Sequence, residues 1–224
     1  MECAQPPSSR PDCHRHGHHV AGSTSTLHRV DPEQAHVVAD AFLDAPRSSA
    51  SALVRAAYSE LGAQAHRWFT RLTDHRARTP IRVAFTRCRE PYATGQELSR
   101  RVRSDRVLEL CPARFDRYQR HPLLDVSIGG TFDRFRAVHD IASHARLGLG
   151  FDRHGEFSAW LAEDRMYTGL ARWALATELH AKHSVYWTTG TPAEHKATLL
   201  PADLVRASLR LRSGGSGARS GPDE

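Results

Sequence analysis

The chain has 224 residues, of which 40% are hydrophobic and 25% charged, and it carries a formal net charge of +6. That length can bury a core without disulfide staples. The four cysteines, at 3, 13, 88 and 111, are not spaced as a zinc ribbon or as a disulfide framework. No apolar run reaches the roughly 18 residues of a membrane span, and no secretory apolar segment opens the chain, so a cytoplasmic location is expected. Arg and Lys are interleaved with Asp and Glu throughout, so charge by itself does not mark a nucleic-acid surface.

Residues 1–30 are rich in His, Ser, Pro and Gly and show no hydrophobic period, which reads as a disordered head. His14, His16, His18 and His19 within it are expected to be solvated. A short helix is expected over 31–45, with Asp31 as its cap and Pro32 at the first helical position. Val54, Tyr58, Leu61, Ala65, Trp68 and Leu72 then recur at helical spacing and mark a second helix with one apolar stripe. Segment 81–87 alternates like a strand, 95–105 reads as a small helix and 107–111 as a second strand. A loop over 121–130 ends in two glycines, and a helix over 131–148 starts with Thr131 as a capping residue and stops near Gly148. Two more helices are expected over 155–167 and 169–187, and a last one over 201–212, before a flexible tail from 213 to 224. The reading is a mainly α (α+β) fold: one globular domain over 31–212, with a small two-stranded sheet packed on helices.

Chemistry concentrates between Phe135 and Trp187. The helix over 131–148 carries His139, Asp140 and His144, and such groups on an inward-facing helix are costly to bury without partners. Glu156 follows in the next segment, and Glu178, His180 and His183 sit on a later helix. Two helices turning His and carboxylate towards each other is how helical proteins build metal sites, and two His plus one carboxylate is the facial triad of non-haem Fe(II) oxygenases. On an ideal α-helix, however, residues five apart are separated by about 140°. Either His139 and His144 flank an irregular turn, or Asp140 and His144 form the pair. His180 and His183 are expected to face water, with the alternative of lining a pocket, while Trp160, Trp173, Tyr186 and Trp187 are expected in the core.

The run His139-Asp140-Ile-Ala-Ser-His144, followed by Glu156-Phe157-Ser158 and then Glu178, resembles the iron-binding core of the pterin-dependent aromatic amino-acid hydroxylases. That family carries a His-Glu-x-x-x-His motif and a later Glu. The resemblance covers about 45 residues and departs at Asp140, where Glu is usual. It implies His139, His144 and Glu178 as metal ligands; in an enzyme built on them, Asp140 or Glu156 is expected to handle protons. A broader pattern, FRAVHD, His144, GEFSAW and Glu178, is similar to uncharacterised actinobacterial and phage proteins and implies that Asp140 and Glu156 belong to the site.

The expected function is therefore a mononuclear metal-dependent enzyme acting on a small-molecule substrate, with a divalent metal, Fe(II) ahead of Zn or Mn. One alternative is an HD-type phosphohydrolase using His139-Asp140, for which the further ligands available are His121 and Asp203. Another is a non-enzymatic, phage-derived module associated with nucleic acid, in which the same His and Glu side chains form a hydrogen-bond network.

Overall fold

Helices start where the sequence supplies an acceptor for their free N–H groups. A computed structural model describes residues 27–115 and 121–210. Asp31 accepts from the Glu33 N–H at the head of α1 (Pro32–Asp44), and Ser51 and Thr94 cap α2 (Ala52–Thr73) and α3 (Gly95–Asp105) in the same way. The α4 segment (Thr131–His139) is different. Thr131 is its first helical residue, Gly130 stands at the cap position and no side chain caps it. Asp133 does related work from inside the first turn, its buried carboxylate accepting from the N–H groups of Ala113 and Gly129.

The fold is mainly helical, with a small sheet. Strands β1 (Arg82–Phe85) and β2 (Val107–Leu110) pair in parallel, and α3 forms the crossover between them. Their register runs from Arg82 opposite Val107 to Phe85 opposite Leu110. Ile81, Leu98, Val102, Leu108 and Leu110 form one apolar cluster with Ala137, Ile141 and Ala145, which docks the sheet and α3 onto α4 and its continuation. The larger core lies between α2, α4 and the helices that follow: α5 (Arg153–Glu163) and α6 (Leu170–Leu175). The predicted stripe of α2 supplies Val54, Tyr58, Leu61 and Ala65 to it, with Trp68 packed at the edge. Trp160 of α5 is fully buried there, and truncating such a side chain costs about 3–5 kcal/mol. A further helix, α7 (Lys182–Thr189), packs on α1, and α8 (Ala202–Arg210) closes the chain through Val205.

Two helices are not α-helical throughout. Beyond His139 the chain continues as π-helical turns over Asp140–Ala145, and between α6 and α7 it does so over Ala176–Ala181. Such turns hydrogen-bond from i to i+5 and often mark functional sites. The first is braced from outside: Ser99 Oγ and Arg103 Nε of α3 both donate to the Ala145 carbonyl, and Arg103 donates again to that of Arg146. Gly148, at φ +71°, then turns the chain away.

Some expectations shift. Residues 28–30, assigned above to the head, pack on the body: Val30 is buried and its N–H donates to His154 Nδ1, while the His28 N–H donates to Ser158 Oγ. The rest of the predicted head, with its four histidines, and the predicted tail lie outside the described residues. Tyr186 and Trp187 are exposed rather than core, because α7 turns that face towards an open cleft. Conversely His180, expected in water, is buried, stacked on Trp160 at 4.3 Å, with its Nε2 at 2.9 Å from Ser208 Oγ. Among the described residues no helix is long and apolar enough to cross a membrane.

Candidate metal centre

The π turns resolve the spacing of His139 and His144. In an i to i+5 turn, side chains five apart come onto one face, so the two imidazoles that an α-helix would splay now meet. Their Nε2 atoms lie 3.0 Å apart. Both rings are buried, His144 almost completely.

The third member is Glu156, not Glu178. Asp152 caps α5 by accepting from the N–H groups of His154 and Gly155, which sets Glu156 in the first turn with its carboxylate facing the imidazoles. Glu156 Oε2 is 3.2 Å from His139 Nε2, and Oε1 is 3.6 Å from His144 Nε2. Among the described residues, His139, His144 and Glu156 form the group whose ligand atoms all lie within 4.8 Å of one another. Three donors held about 2.0–2.2 Å from one ion would stand roughly 3.0–3.5 Å apart, so these separations fit a single cation with little movement.

The far side of each imidazole is fixed. His144 Nδ1 lies 2.9 Å from the Leu149 carbonyl, which only accepts, so that nitrogen carries the hydrogen. His139 Nδ1 lies 2.6 Å from Glu163 Oε1, which also accepts from Ser143 Oγ at 2.6 Å. With both Nδ1 atoms donating, neutral rings present two bare Nε2 lone pairs to each other and to the Glu156 carboxylate. Such a meeting of acceptors is repulsive until a proton or a metal cation enters it. In the metal-free chain a proton does this: burial works against a charge on His139, yet Glu163 and Glu156 outweigh it and hold its pKa well above the ordinary value. Burial likewise opposes the charge of Glu156, but His183, His139 and His144 keep its carboxyl well below the usual range. A carboxylate or carbonyl behind each ligating imidazole is the usual support of protein metal sites.

Glycine at two points allows this packing. A Cβ on Gly155 would stand 2.1 Å from the Gly150 carbonyl oxygen, and one on Gly95 would stand 2.2 Å from that of Leu149. The backbone that orients His144 is therefore wedged between α3 and α5 at contacts only glycine permits.

The centre opens onto a cleft of about 430 Å³, within the range of small-molecule sites. Asp140 lines it, half-buried, outside the three-residue group. Burial raises its pKa, against the pull of His139, His144 and Arg136. His183 stands at the edge of the centre, its Nδ1 at 3.5 Å from Glu156 Oε2, and neither atom has a hydrogen-bond partner.

Comparison with protein-family models, with curated proteins and with solved structures gives no match. The site stands on its geometry alone.

Glu178 also lines the cleft, but its oxygens are committed elsewhere. Oε1 accepts from Tyr58 Oη at 2.7 Å and faces His121 Nε2 at 3.2 Å; Oε2 accepts from Lys182 Nζ at 2.5 Å. The N–H groups of Leu123 and Leu124 donate to His121 Nδ1, so its hydrogen sits on Nε2 and points at Glu178. Burial opposes ionisation of Glu178, but Lys182 and His121 prevail and its pKa falls far below the ordinary value.

Glu163, Ser143 and Lys182 were not singled out from the sequence, and His121 was considered only as a ligand of the HD-type alternative. Glu163 had a signal, since it follows Glu156 by seven residues and so shares its helix face, towards His139. The pairing of His121 with Glu178 had none, because the two lie 57 residues apart.

Proposed function

We propose that the chain is a mononuclear metal-dependent enzyme whose metal is held by His139, His144 and Glu156, acting on a small molecule bound in the adjoining cleft. The observation that carries this reading is the pair of imidazole nitrogens, each turned into a lone pair by the group behind it, facing each other at 3.0 Å beside a buried carboxylate. Two such nitrogens and a carboxylate repel one another until a proton or a metal cation stands between them, and their separations suit a single cation.

Two His and one carboxylate, with the remaining positions open, suit Fe(II) in oxygenase-type chemistry, ahead of Zn or Mn. When bound, such a metal would supply Lewis acidity and positions for O₂ or water. The chain's own residues do the rest. Glu163 and the Leu149 carbonyl hold the imidazole tautomers. Asp140, half-buried on the cleft wall with a raised pKa, is placed to accept or return a proton from substrate. Phe132, Phe135 and Phe151 supply apolar surface to the cleft. Phosphohydrolysis of the HD type ranks lower, because His121, which it would need as a ligand, is engaged with Glu178.

The test is metal content. Full-length chain stripped with chelator and reloaded anaerobically with Fe(II), or separately with Zn, should retain about one ion per chain after buffer exchange. The same protein carrying His144→Ala should retain none beyond what the His-rich head holds. Equal retention by the two proteins would refute the assignment.

A further inference from the structure

The cleft has a second polar wall that the metal centre does not use. Lys182 is buried at 9% exposure and lines the cleft. Its ammonium donates to Glu178 Oε2 at 2.5 Å and to His195 Nδ1 at 2.8 Å, which leaves one of its three N–H bonds without a partner among the described residues. Because the ammonium can only donate, His195 Nδ1 must accept, and the hydrogen of that ring is placed on Nε2. His195 lines the same cleft, packed edge-on against Phe132 at 5.1 Å. Arg136 is the second cation on the wall: its NH1 donates to the Cys111 carbonyl at 2.7 Å and lies 3.8 Å from Asp133 Oδ1, and its side chain lines the cleft.

Glu178 offsets the charge of Lys182 and also accepts from Tyr58 and His121, so Lys182 and His195 offer the cleft hydrogen-bond donors while Arg136 supplies the charge. That carboxylate thus holds Lys182 in place while two neighbours share its charge. A lysine anchored by one partner, a neutral histidine oriented by that lysine and an arginine held at its NH1 together present N–H donors to one space.

We propose that Lys182, His195 and Arg136 form an oxyanion-binding subsite, so that the substrate of this cleft is an organic acid or phosphate ester whose anionic group is held here while its body reaches towards His139, His144 and Glu156. Three N–H-bearing side chains on one cleft, one of them a cationic guanidinium, suit an oxyanion better than a neutral amide or alcohol. The substrate role rests on the metal-centre reading; the anion binding itself does not.

The probes are hexanoate, hexyl phosphate and the neutral hexanamide, titrated at constant ionic strength into full-length, chelator-treated protein and read through the fluorescence of Trp187 at the cleft. Working without metal separates the two readings, since an anion cannot then report on the metal centre. The expected result is at least tenfold tighter binding of one or both anions than of hexanamide, with hexanoate against hexyl phosphate deciding between carboxylate and phosphate. Lys182→Met and, as a milder change that leaves Glu178 its lysine, His195→Phe should each cut that preference at least threefold. Equal affinity for anion and amide, or an undiminished preference in a folded His195→Phe protein, would overturn the subsite. Failure of the parent protein to retain metal in the earlier experiment, or equal retention by His144→Ala, with the anion preference intact, would sink the metal reading alone.

Discussion

Two buried polar clusters face the same cleft, and each belongs in part to a π-helical turn, yet they are built on opposite rules. Around Glu178 the hydrogens point inward: Tyr58, His121 and Lys182 all give one to the same carboxylate. Around Glu156 the acceptors face one another, and the hydrogens of His139 and His144 are turned outward to Glu163 and Leu149. The carboxylate of the first cluster is satisfied as folded, whereas the second holds together only with a proton or a cation between its nitrogens. A count of histidines and carboxylates would rank the two alike; the direction of each hydrogen separates them.

The largest test of that contrast is metal retention. His144→Ala should abolish it, while Glu178→Gln, in the self-satisfied cluster, should keep full occupancy by elemental analysis of the folded fraction. Loss of metal from Glu178→Gln with His144→Ala unaffected would reverse the roles assigned here. Stability should respond the other way. Glu178→Ala strands a buried ammonium and should cost about 3–5 kcal/mol in urea unfolding; a cost below about 1 kcal/mol would mean that the cluster is wetter than its burial implies.

Acid should expose a third difference. Burial first, and His183 second, lower the pKa of His180 to about 3, against an ordinary value of 6.5. A depressed folded pKa means stability that is present above about pH 6.5 and lost as the pH falls towards 3, on the order of a few kcal/mol. Urea midpoints measured across that window should decline more steeply in the parent protein than in His180→Phe, which cannot take up the proton. The smallest effect expected is that of Glu163→Gln. It leaves all three ligands in place but weakens the support behind His139, and should lower metal affinity about 10–100-fold in a competition titration with a chelator.

Much of the fold was legible because it rests on local signals. Asp31 before Pro32, the apolar stripe from Val54 to Ala65 and the alternation around Val83 each determine an element without help from elsewhere. His139 and His144 stood out because two imidazoles on an apolar helix need partners, and the conflict between their spacing and α-helical periodicity pointed to an irregular turn. The third candidate ligand was the weak point. Glu156 and Glu178 both sit on inward faces near the histidines, and periodicity does not tell which carboxylate is already neutralised. That depends on Tyr58 and His121, which reach Glu178 from 120 and 57 residues away. The exposure of Tyr186 and Trp187 escaped for a related reason: aromatic residues on a helix face read as core unless the cleft beside them is known.

The glycine contacts at 95 and 155 extend the centre well beyond its ligands. Leu149 and Gly150 pass between two helices with space for a hydrogen atom and not for a methyl group, and the carbonyl that orients His144 belongs to that same peptide. Alanine at either position touches no ligand and alters no charge, yet it would push a helix or the strap aside and turn one imidazole from its bearing. Two missing carbon atoms, sixty residues apart in the chain, thus act as the alignment pins of the whole assembly.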